Sequence, residues 1–160
     1  MTDEDKKFMA RAIELSEKTS LIDSAGGVFG TVIVQDGKII GEGANRVVAE
    51  NDPTWHGEIE AIRNACKVVG SFKLVNATLY TSAEPCPMCM AAAYWAGIKH
   101  IFYASTNEDA LEYGDFDDSM IYGEIRKPMA ERSIPSEQIM RTEAVEVWKK
   151  YKNKADRVPY

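Results

Sequence analysis

The chain has 160 residues, of which 45% are hydrophobic and 28% charged, and its formal net charge is −6. This length suits one domain with a full core, and the acidic balance argues against a protein whose main task is to bind phosphate backbones. Three cysteines, two of them closely spaced, argue against a disulfide-rich secreted scaffold. Met1–Lys18 lacks the apolar core of a secretory signal, and the longest apolar run, Met88–Ile98, is too short to span a membrane. We therefore expect one cytoplasmic domain over residues 1–160.

The first half of the chain predicts a helix, a β-hairpin and a second helix. A capping box opens an amphipathic helix from about Asp3 to Lys18. Asp36-Gly37 is a strong hairpin signal between the predicted strands Thr31–Val34 and Lys38–Gly43. The second helix is expected to start at Asp52-Pro53-Thr54, because Asp and Thr are good caps and proline suits the first turn.

The second half continues the pattern with strands that alternate with helices. A strand over Ala77–Ser82 leads into a helix that begins near Pro87, and Ile98–Ser105 forms the next strand. Because strand–helix–strand units pair their strands in parallel, these elements predict an α/β fold. Residues Pro135–Arg141 could form a short strand or a loop, and Thr142–Lys154 forms a terminal helix.

The residues that carry chemistry lie at two predicted helix starts. Cys86 and Cys89 are three positions apart, so they share a face in the first turn of one helix. The positive end of the helix dipole favours thiolates there. His56 adds one nitrogen near the start of the preceding helix. Such a set suits a tetrahedral zinc ion and leaves its fourth position for water, which is typical of a catalytic site.

The other cysteine and histidine do not fit this metal site. Cys66 follows His56 on the same predicted helix and lies about 15 Å farther along its axis. His100 begins the strand after the cysteine helix, at the opposite end of a right-handed strand–helix–strand unit. We therefore predict one zinc ion per chain, bound by the first set. Glu58, two residues past His56, then lies beside the metal without binding it.

Together, His-x-Glu at residues 56–58 and Pro-Cys-x-x-Cys at residues 85–89 resemble the zinc signature of the cytidine deaminase-like superfamily. The resemblance covers nearly the whole chain and is greatest to the small bacterial guanine deaminases. Other segments that carry it are Asn51–Thr54, Leu79–Ser82, Tyr94–Ala96, Phe116–Ser119 and the terminal Tyr160. It implies a three-layer α/β/α fold with a mixed five-stranded sheet flanked by helices.

The activity that the resemblance implies is zinc-dependent hydrolytic deamination of guanine to xanthine and ammonia. Zinc can lower the pKa of bound water from about 16 to about 7, which provides hydroxide at neutral pH. Glu58 is predicted to shuttle a proton from this water to the ring, so that hydroxide attacks an amidine-type carbon.

Further roles follow from the resemblance alone. It implies that Phe29 stacks on the purine, that Asn45 hydrogen-bonds the edge of the base and that Trp95 lines the pocket. Asp118 is expected to be a second carboxylate near the leaving amine, although an extra residue close to Asp115 leaves Asp117 open as an alternative.

The resemblance also implies a homodimer. The C-terminal segment, about residues 142–160, is expected to cross to the neighbouring subunit, where Tyr160 closes the site. The expected partners are a small-molecule base and a second copy of the chain, with neither nucleic acid nor membrane.

Three departures from the family pattern lie near the expected pocket, namely Val28, Gly57 and Asp115. They leave open another aminated ring, such as cytosine, a triazine like ammeline, or guanosine. A tRNA adenosine deaminase would need a basic path for phosphates, whereas the segment after the fourth strand is acidic. Two non-hydrolytic alternatives are a Cys-x-x-Cys redox protein and a structural zinc module. Neither gives the His-x-Glu motif a function.

Overall fold

The β-hairpin predicted around Asp36-Gly37 lies at one edge of a four-stranded mixed sheet. Strand β1 (Gly30–Gln35) pairs antiparallel with β2 (Lys38–Ala44), and both turn residues have positive φ angles of 51° and 74°, as a tight hairpin requires. Strand β3 (Thr78–Ala83) pairs antiparallel with β1, and β4 (His100–Ser105) pairs parallel with β3. The strand order is β2-β1-β3-β4.

The prediction of five strands is wrong for the described part of the chain, residues 1–158. Residues 133–140 have no helical or strand structure there, so the strand that was one reading of Pro135–Arg141 does not form. Proline has no N–H to contribute to a strand ladder, which disfavours pairing at this point. The computed structural model otherwise confirms the mixed sheet flanked by helices.

The helices follow the predicted order. Helix α1 (Asp3–Glu17) has the predicted capping box, and a π-helical turn (Lys18–Ile22) continues it. A short helix α2 (Val47–Glu50) precedes α3 (Gly57–Val69). The later helices of this part are α4 (Pro87–Ala96) and α5 (Asn107–Gly114).

The predicted start of α3 at Asp52-Pro53-Thr54 is wrong. The Asp52 carboxylate accepts hydrogen bonds from the backbone N–H and the hydroxyl of Thr54, at 2.8 and 2.7 Å, so these residues form a local turn. The helix begins three residues later, with His56 at its N-cap.

The two faces of the sheet are covered by different helices, which confirms the α/β/α arrangement. On one face, Ile33 and Leu79 pack with Ala61 and Ala65 of α3 and with Ala96 of α4. On the other face, residues of α1 pack against alternate positions of the same strands, namely Val32, Val34 and Tyr80. The period-2 alternation of strands explains why one strand serves both cores.

Two glycines of β2 allow α3 to lie unusually close to the sheet. A Cβ atom at Gly43 would overlap the carbonyl oxygen of Gly57, and one at Gly41 would overlap that of Ala61. Helix α3 therefore packs backbone to backbone on β2, and its first turn is fixed relative to the end of that strand.

The described residues form two compact units, Met1–Asp118 and Ser119–Tyr160, the second described as far as Val158. The second unit contains α6 (Ser119–Arg126), a 3-10 turn (Met129–Glu131) and α7 (Arg141–Lys152). Val147 and Trp148 on α7 are 65% and 70% exposed. No helix among residues 1–158 is both long enough and apolar enough to cross a membrane.

Candidate metal centre and substrate cavity

The three predicted metal ligands converge at the starts of α3 and α4. His56 and Cys86 are the N-cap residues of these helices, and both have extended backbones with side chains that do not cap their own helix. Cys89 lies in the first turn of α4 and is buried. Helix α4 follows β3 directly, so its ligands lie at the carboxyl end of that strand, where α/β sheets place their sites.

The geometry of the three side chains fits a single zinc ion. His56 Nδ1 lies 3.5 Å from the Sγ atoms of both Cys86 and Cys89, and the three ligand atoms all lie within 4.8 Å of one another. Tetrahedral zinc with ordinary Zn–S and Zn–N bonds places sulfur and nitrogen about 3.6 Å apart. A search of the described residues for three or more histidine, cysteine or acidic side chains close enough to share a metal ion finds this group.

The charges of the two sulfurs also favour a cation. Its interaction with the Cys89 side chain lowers the pKa of Cys86 to about 4, and Cys86 in turn raises the pKa of Cys89 above its ordinary value. Two thiolates this close repel each other, so without a cation one sulfur keeps its proton. A divalent ion allows both sulfurs to be anionic. His56 has a raised pKa, chiefly because it hydrogen-bonds Cys86.

Glu58 is a buried carboxylate beside this cluster. Its side chain is 4% exposed, and Oε2 accepts a hydrogen bond of 3.3 Å from the Cys89 thiol. Burial raises the pKa of Glu58, because a carboxylate loses its hydration there. A carboxyl group with a raised pKa is suited to exchange protons near neutral pH.

A cavity of about 220 Å³ opens above Glu58 and brings most of the predicted site residues together. The predicted residues that line it are Phe29, Asn45, His56, Glu58, Cys86 and Asp118. These six come from the start of β1, the end of β2, the starts of α3 and α4 and the segment after α5. Residues far apart in sequence therefore form one wall.

Asn45 has a defined orientation at this wall. Its side-chain oxygen accepts hydrogen bonds from the backbone N–H groups of Gly27 and Val47, each at 3.2 Å. Since the oxygen is used by the protein, the NH₂ group is the part of this amide that remains to donate to a ligand.

Phe29 and Phe116 form an aromatic pair at the cavity. Their ring centroids are 5.1 Å apart and the rings meet edge to face at 79°. Phe116 is 46% exposed, and it precedes the acidic residues Asp117 and Asp118. Of these two carboxylates, Asp118 is the one that lines the cavity, and burial raises its pKa.

Eight further lining residues were not predicted as site residues, and three of them have acidic, amide or aromatic side chains, namely Glu84, Asn107 and Phe116. Glu84 Oε2 accepts a hydrogen bond of 3.2 Å from the backbone N–H of Asn107, which joins the cysteine motif to the start of α5. The position of Asn107, just after β4, is a signal that could have found it, because sites in α/β sheets gather at the carboxyl ends of strands.

Two predicted substrate-binding residues are not placed at this cavity. Trp95 lies near the end of α4, is 65% exposed and is not among the lining residues of the chain's described part. It is six residues past Cys89, or about 9 Å along the helix. Tyr160 lies outside the described residues. The roles of both stay predictions.

The two excluded ligands lie where the sequence predicted. Cys66 packs against the core between α3 and the sheet, and burial raises its pKa. His100 pairs in register with Thr78 at the start of β3, whereas the metal ligands follow its end.

A family model described as the cytidine and deoxycytidylate deaminase zinc-binding region matches residues 2–105. The chain belongs to this family. Membership confirms zinc as the predicted cofactor, for which His56, Cys86 and Cys89 form a possible site. It also makes the deaminase a hydrolase that acts on carbon–nitrogen bonds.

Individual relatives of the deaminase are of two kinds. It is 50% identical over 153 residues to guanine deaminase of Bacillus subtilis (strain 168), a match that covers 96% of this chain and 97% of that protein. Its fold matches an X-ray structure of guanine deaminase from Bacillus subtilis with a TM-score of 0.93 at 48% identity, covering 100% and 99% of the two chains. A tRNA-specific adenosine deaminase of Haemophilus influenzae is 38% identical over 104 residues, or 64% of this chain and 59% of that protein. The predicted likeness to small bacterial guanine deaminases is confirmed.

Proposed function

We propose that this deaminase converts guanine and water to xanthine and ammonia. The observation that supports this most strongly is the buried Glu58 carboxyl group, which lies against the His56–Cys86–Cys89 cluster at the base of a small cavity. The likeness to guanine deaminase over nearly the full chain favours guanine among aminated rings.

The metal cluster has a defined task in this proposal. A zinc ion held by His56, Cys86 and Cys89 supplies, when bound, a Lewis acid that lowers the pKa of water. The protein residues fix the three ligands on two helix starts, so their positions are set by the backbone.

Two carboxyl groups of the chain handle protons. We assign to Glu58 the transfer of a proton from the attacking water to the purine ring, because it is buried at the cavity base and its pKa is raised. Asp118, which also lines the cavity, is assigned the delivery of a proton near the leaving amine. Its raised pKa, caused chiefly by burial, suits this role.

The cavity wall supplies recognition of the base. The free NH₂ group of Asn45 donates, and guanine presents two acceptors, O6 and N7, on one edge. Phe29 offers an aromatic face or edge to the ring. A volume of about 220 Å³ is smaller than the roughly 300–1,000 Å³ of sites for drug-sized ligands, which favours a free base over a nucleoside.

Measurement of ammonia release over a panel of substrates tests the proposal. The panel contains guanine, cytosine, adenine, ammeline, guanosine and an anticodon stem-loop RNA, each with the zinc-loaded enzyme and with Glu58→Gln as the control for contaminating activity. We expect the highest kcat/KM for guanine. Turnover of another ring with guanine inert would show that Val28, Gly57 and the residue at Asp115 have changed the substrate.

The structure offers a physical reason to test those departures. A Cβ atom at Gly57 would lie 3.0 Å from the carbonyl oxygen of Phe29 and 3.3 Å from the Thr31 hydroxyl, so glycine lets α3 start tightly against β1. Val28 is 53% exposed beside Phe29.

We also propose a homodimer with exchanged C-terminal segments, located in the cytoplasm and acting in guanine catabolism. The exposed Val147 and Trp148 of α7 and the exposed Trp95 of α4 support a second copy, because large apolar side chains favour burial. The three cysteines are free thiols, which suits a reducing compartment.

A further inference from the structure

Asn45 is held by hydrogen bonds from segments that meet behind the cavity. Its backbone N–H donates to the carbonyl oxygen of Phe29 at 2.8 Å, and its side-chain oxygen accepts from Gly27 and Val47. Its backbone carbonyl accepts a hydrogen bond of 2.6 Å from the hydroxyl of Thr19. Both Thr19 and Asn45 are buried, at 3% and 4% exposure, so this contact is shielded from water.

Thr19 reaches Asn45 because α1 ends in a π-helical turn. The N–H of Asp23 donates to the carbonyl of Lys18 at 2.9 Å, which is the i to i+5 spacing of a π-helix. Such turns are rare and frequently occur at functional sites. The carbonyl of Thr19 also accepts from the N–H of Ala25 at 2.8 Å, so one residue ties Asn45 to the loop beside it.

The loop that contains Gly26 packs so closely against Asn45 that Asn45 has little room to move. A Cβ atom at Gly26 would overlap the side-chain oxygen of Asn45, so the two backbones are in close contact. A displacement of the Asn45 carbonyl would therefore also move its amide group. The hydrogen bonds of Thr19 and Asn45 named above go to neither Glu58 nor a metal ligand, which lie at the starts of α3 and α4.

We propose that Thr19 is a positioning residue that holds the Asn45 amide in place, and so sets the affinity for bases with an acceptor edge. The proposal rests on the proposed function in one respect, namely that Asn45 donates to the substrate. Loss of the Thr19 hydroxyl leaves a buried carbonyl without its partner, and the segment relaxes to recover one.

Kinetics of three variants test this role. Thr19→Val keeps the shape but removes the donor, and Thr19→Ser keeps the donor. Ser20→Ala is the matched control, because the Ser20 hydroxyl lies on the same turn and donates to the Ser16 carbonyl instead. We expect Thr19→Val to raise KM for guanine about tenfold with kcat little changed, since one hydrogen bond is worth about that factor. Thr19→Ser and Ser20→Ala should keep the KM of the original protein.

A double-mutant cycle separates positioning from general stability. In an Asn45→Ala background, Thr19→Val should add nothing to KM. An equal increase in both backgrounds, or an unchanged KM for Thr19→Val alone, would overturn the proposal. Thr19→Ala carries the same test should the valine variant fail to fold.

A spectroscopic measurement keeps this test independent of the substrate. The side-chain amide resonances of Asn45 in a ¹⁵N–¹H NMR spectrum should shift in Thr19→Val and stay in place in Ser20→Ala. Absence of a shift would reject the role of Thr19 even for an enzyme that uses another base. Failure of guanine turnover with a clear shift would reject the substrate and leave the positioning role intact.

Discussion

The Cys89 thiol donates a hydrogen bond of 3.3 Å to Glu58 Oε2, although the two residues are 31 positions apart and lie on different helices. This contact joins a metal ligand to the carboxyl group that we assign to proton transfer. A thiolate cannot donate, so this hydrogen bond would be lost if Cys89 held a metal ion as a thiolate.

Replacement of Glu58 tests its role as a proton carrier. Glu58→Gln should lower kcat by about 10²- to 10⁴-fold, because an amide cannot accept and return the proton. Zinc content, measured by mass spectrometry, should remain one ion per chain. Glu60→Gln is the matched control, since Glu60 lies on the same helix, is not a lining residue of the cavity and accepts a hydrogen bond from the Ala44 N–H, which glutamine can also accept. Retained activity in Glu58→Gln would refute the assignment.

Removal of zinc should abolish activity and lower the melting temperature. The three ligands sit at the starts of two helices, so the ion stabilises the folded state in which they converge. Dialysis against a chelator followed by titration with zinc should restore activity at one equivalent per chain. Cys89→Ser should not bind the ion tightly, whereas Cys66→Ser should bind it normally. An equal loss of zinc binding in Cys89→Ser and Cys66→Ser would contradict the proposed ligands.

Asn45→Asp separates the two functions of this side chain. The carboxylate can still accept from the N–H groups of Gly27 and Val47, but it has no hydrogen to donate. We expect KM for guanine to rise at least tenfold, about the worth of one hydrogen bond. The melting temperature should fall as well, because a carboxylate loses its hydration at a site that is 4% exposed. An unchanged KM would mean that the amide donor does not recognise the base.

The ion pair between Arg11 and Glu42 should give stability that depends on pH. The Arg11 guanidinium donates to both carboxylate oxygens at 2.8 and 2.9 Å and lowers the pKa of Glu42. A carboxyl group with a lowered pKa in the folded state stabilises the protein above its unfolded pKa, and this contribution is lost as the pH falls through the folded value.

Calorimetry of Glu42→Gln checks this sign. The side chains are about one-third exposed, so the expected loss at pH 7 is about 1 kcal/mol or less. The difference between the variant and the original protein should shrink below about pH 4. Glu14→Gln removes the more exposed partner of the same arginine and should have a smaller effect. If the difference in stability between Glu42→Gln and the original protein grew at acidic pH, the ion pair would not act as described.

Mixed dimers test the proposed exchange of C-terminal segments. Glu58→Gln has an inactive centre with a complete C-terminus, and Tyr160→Ala has the opposite defect. If Tyr160 closes the neighbour's site, heterodimers of the two contain one intact site, so unfolding and refolding them together should restore roughly a quarter of the original activity, by random pairing of closed dimers. Mixtures no more active than the sum of the separate variants would contradict exchange.

The metal ligands could be predicted from sequence because few residues could serve. The spacing of Cys86 and Cys89 fixes a shared helix face, and the positions of Cys66 and His100 exclude them. Glu58 followed from its distance to His56 along the chain. These inferences depend on local geometry, which the sequence encodes directly.

Other features depend on contacts across the fold. The π-helical turn at Lys18–Ile22 has no signal in its own residues, and its hydrogen bond from Thr19 goes to Asn45, 26 positions farther along the chain. Asp52 followed by proline is also a common start of a helix, but here its carboxylate stabilises a turn. The sequence therefore predicted a start for α3 that lies too early in the chain. The orientation of the Asn45 amide follows from two N–H groups that only the folded chain brings near.

Through the contact between Gly43 and Gly57, the second strand helps to position catalytic side chains that it does not carry itself. Any side chain there would push the first turn of the third helix outward, taking an imidazole and a carboxyl group with it. A single methyl group added at Gly43 is therefore expected to lower activity without touching the substrate.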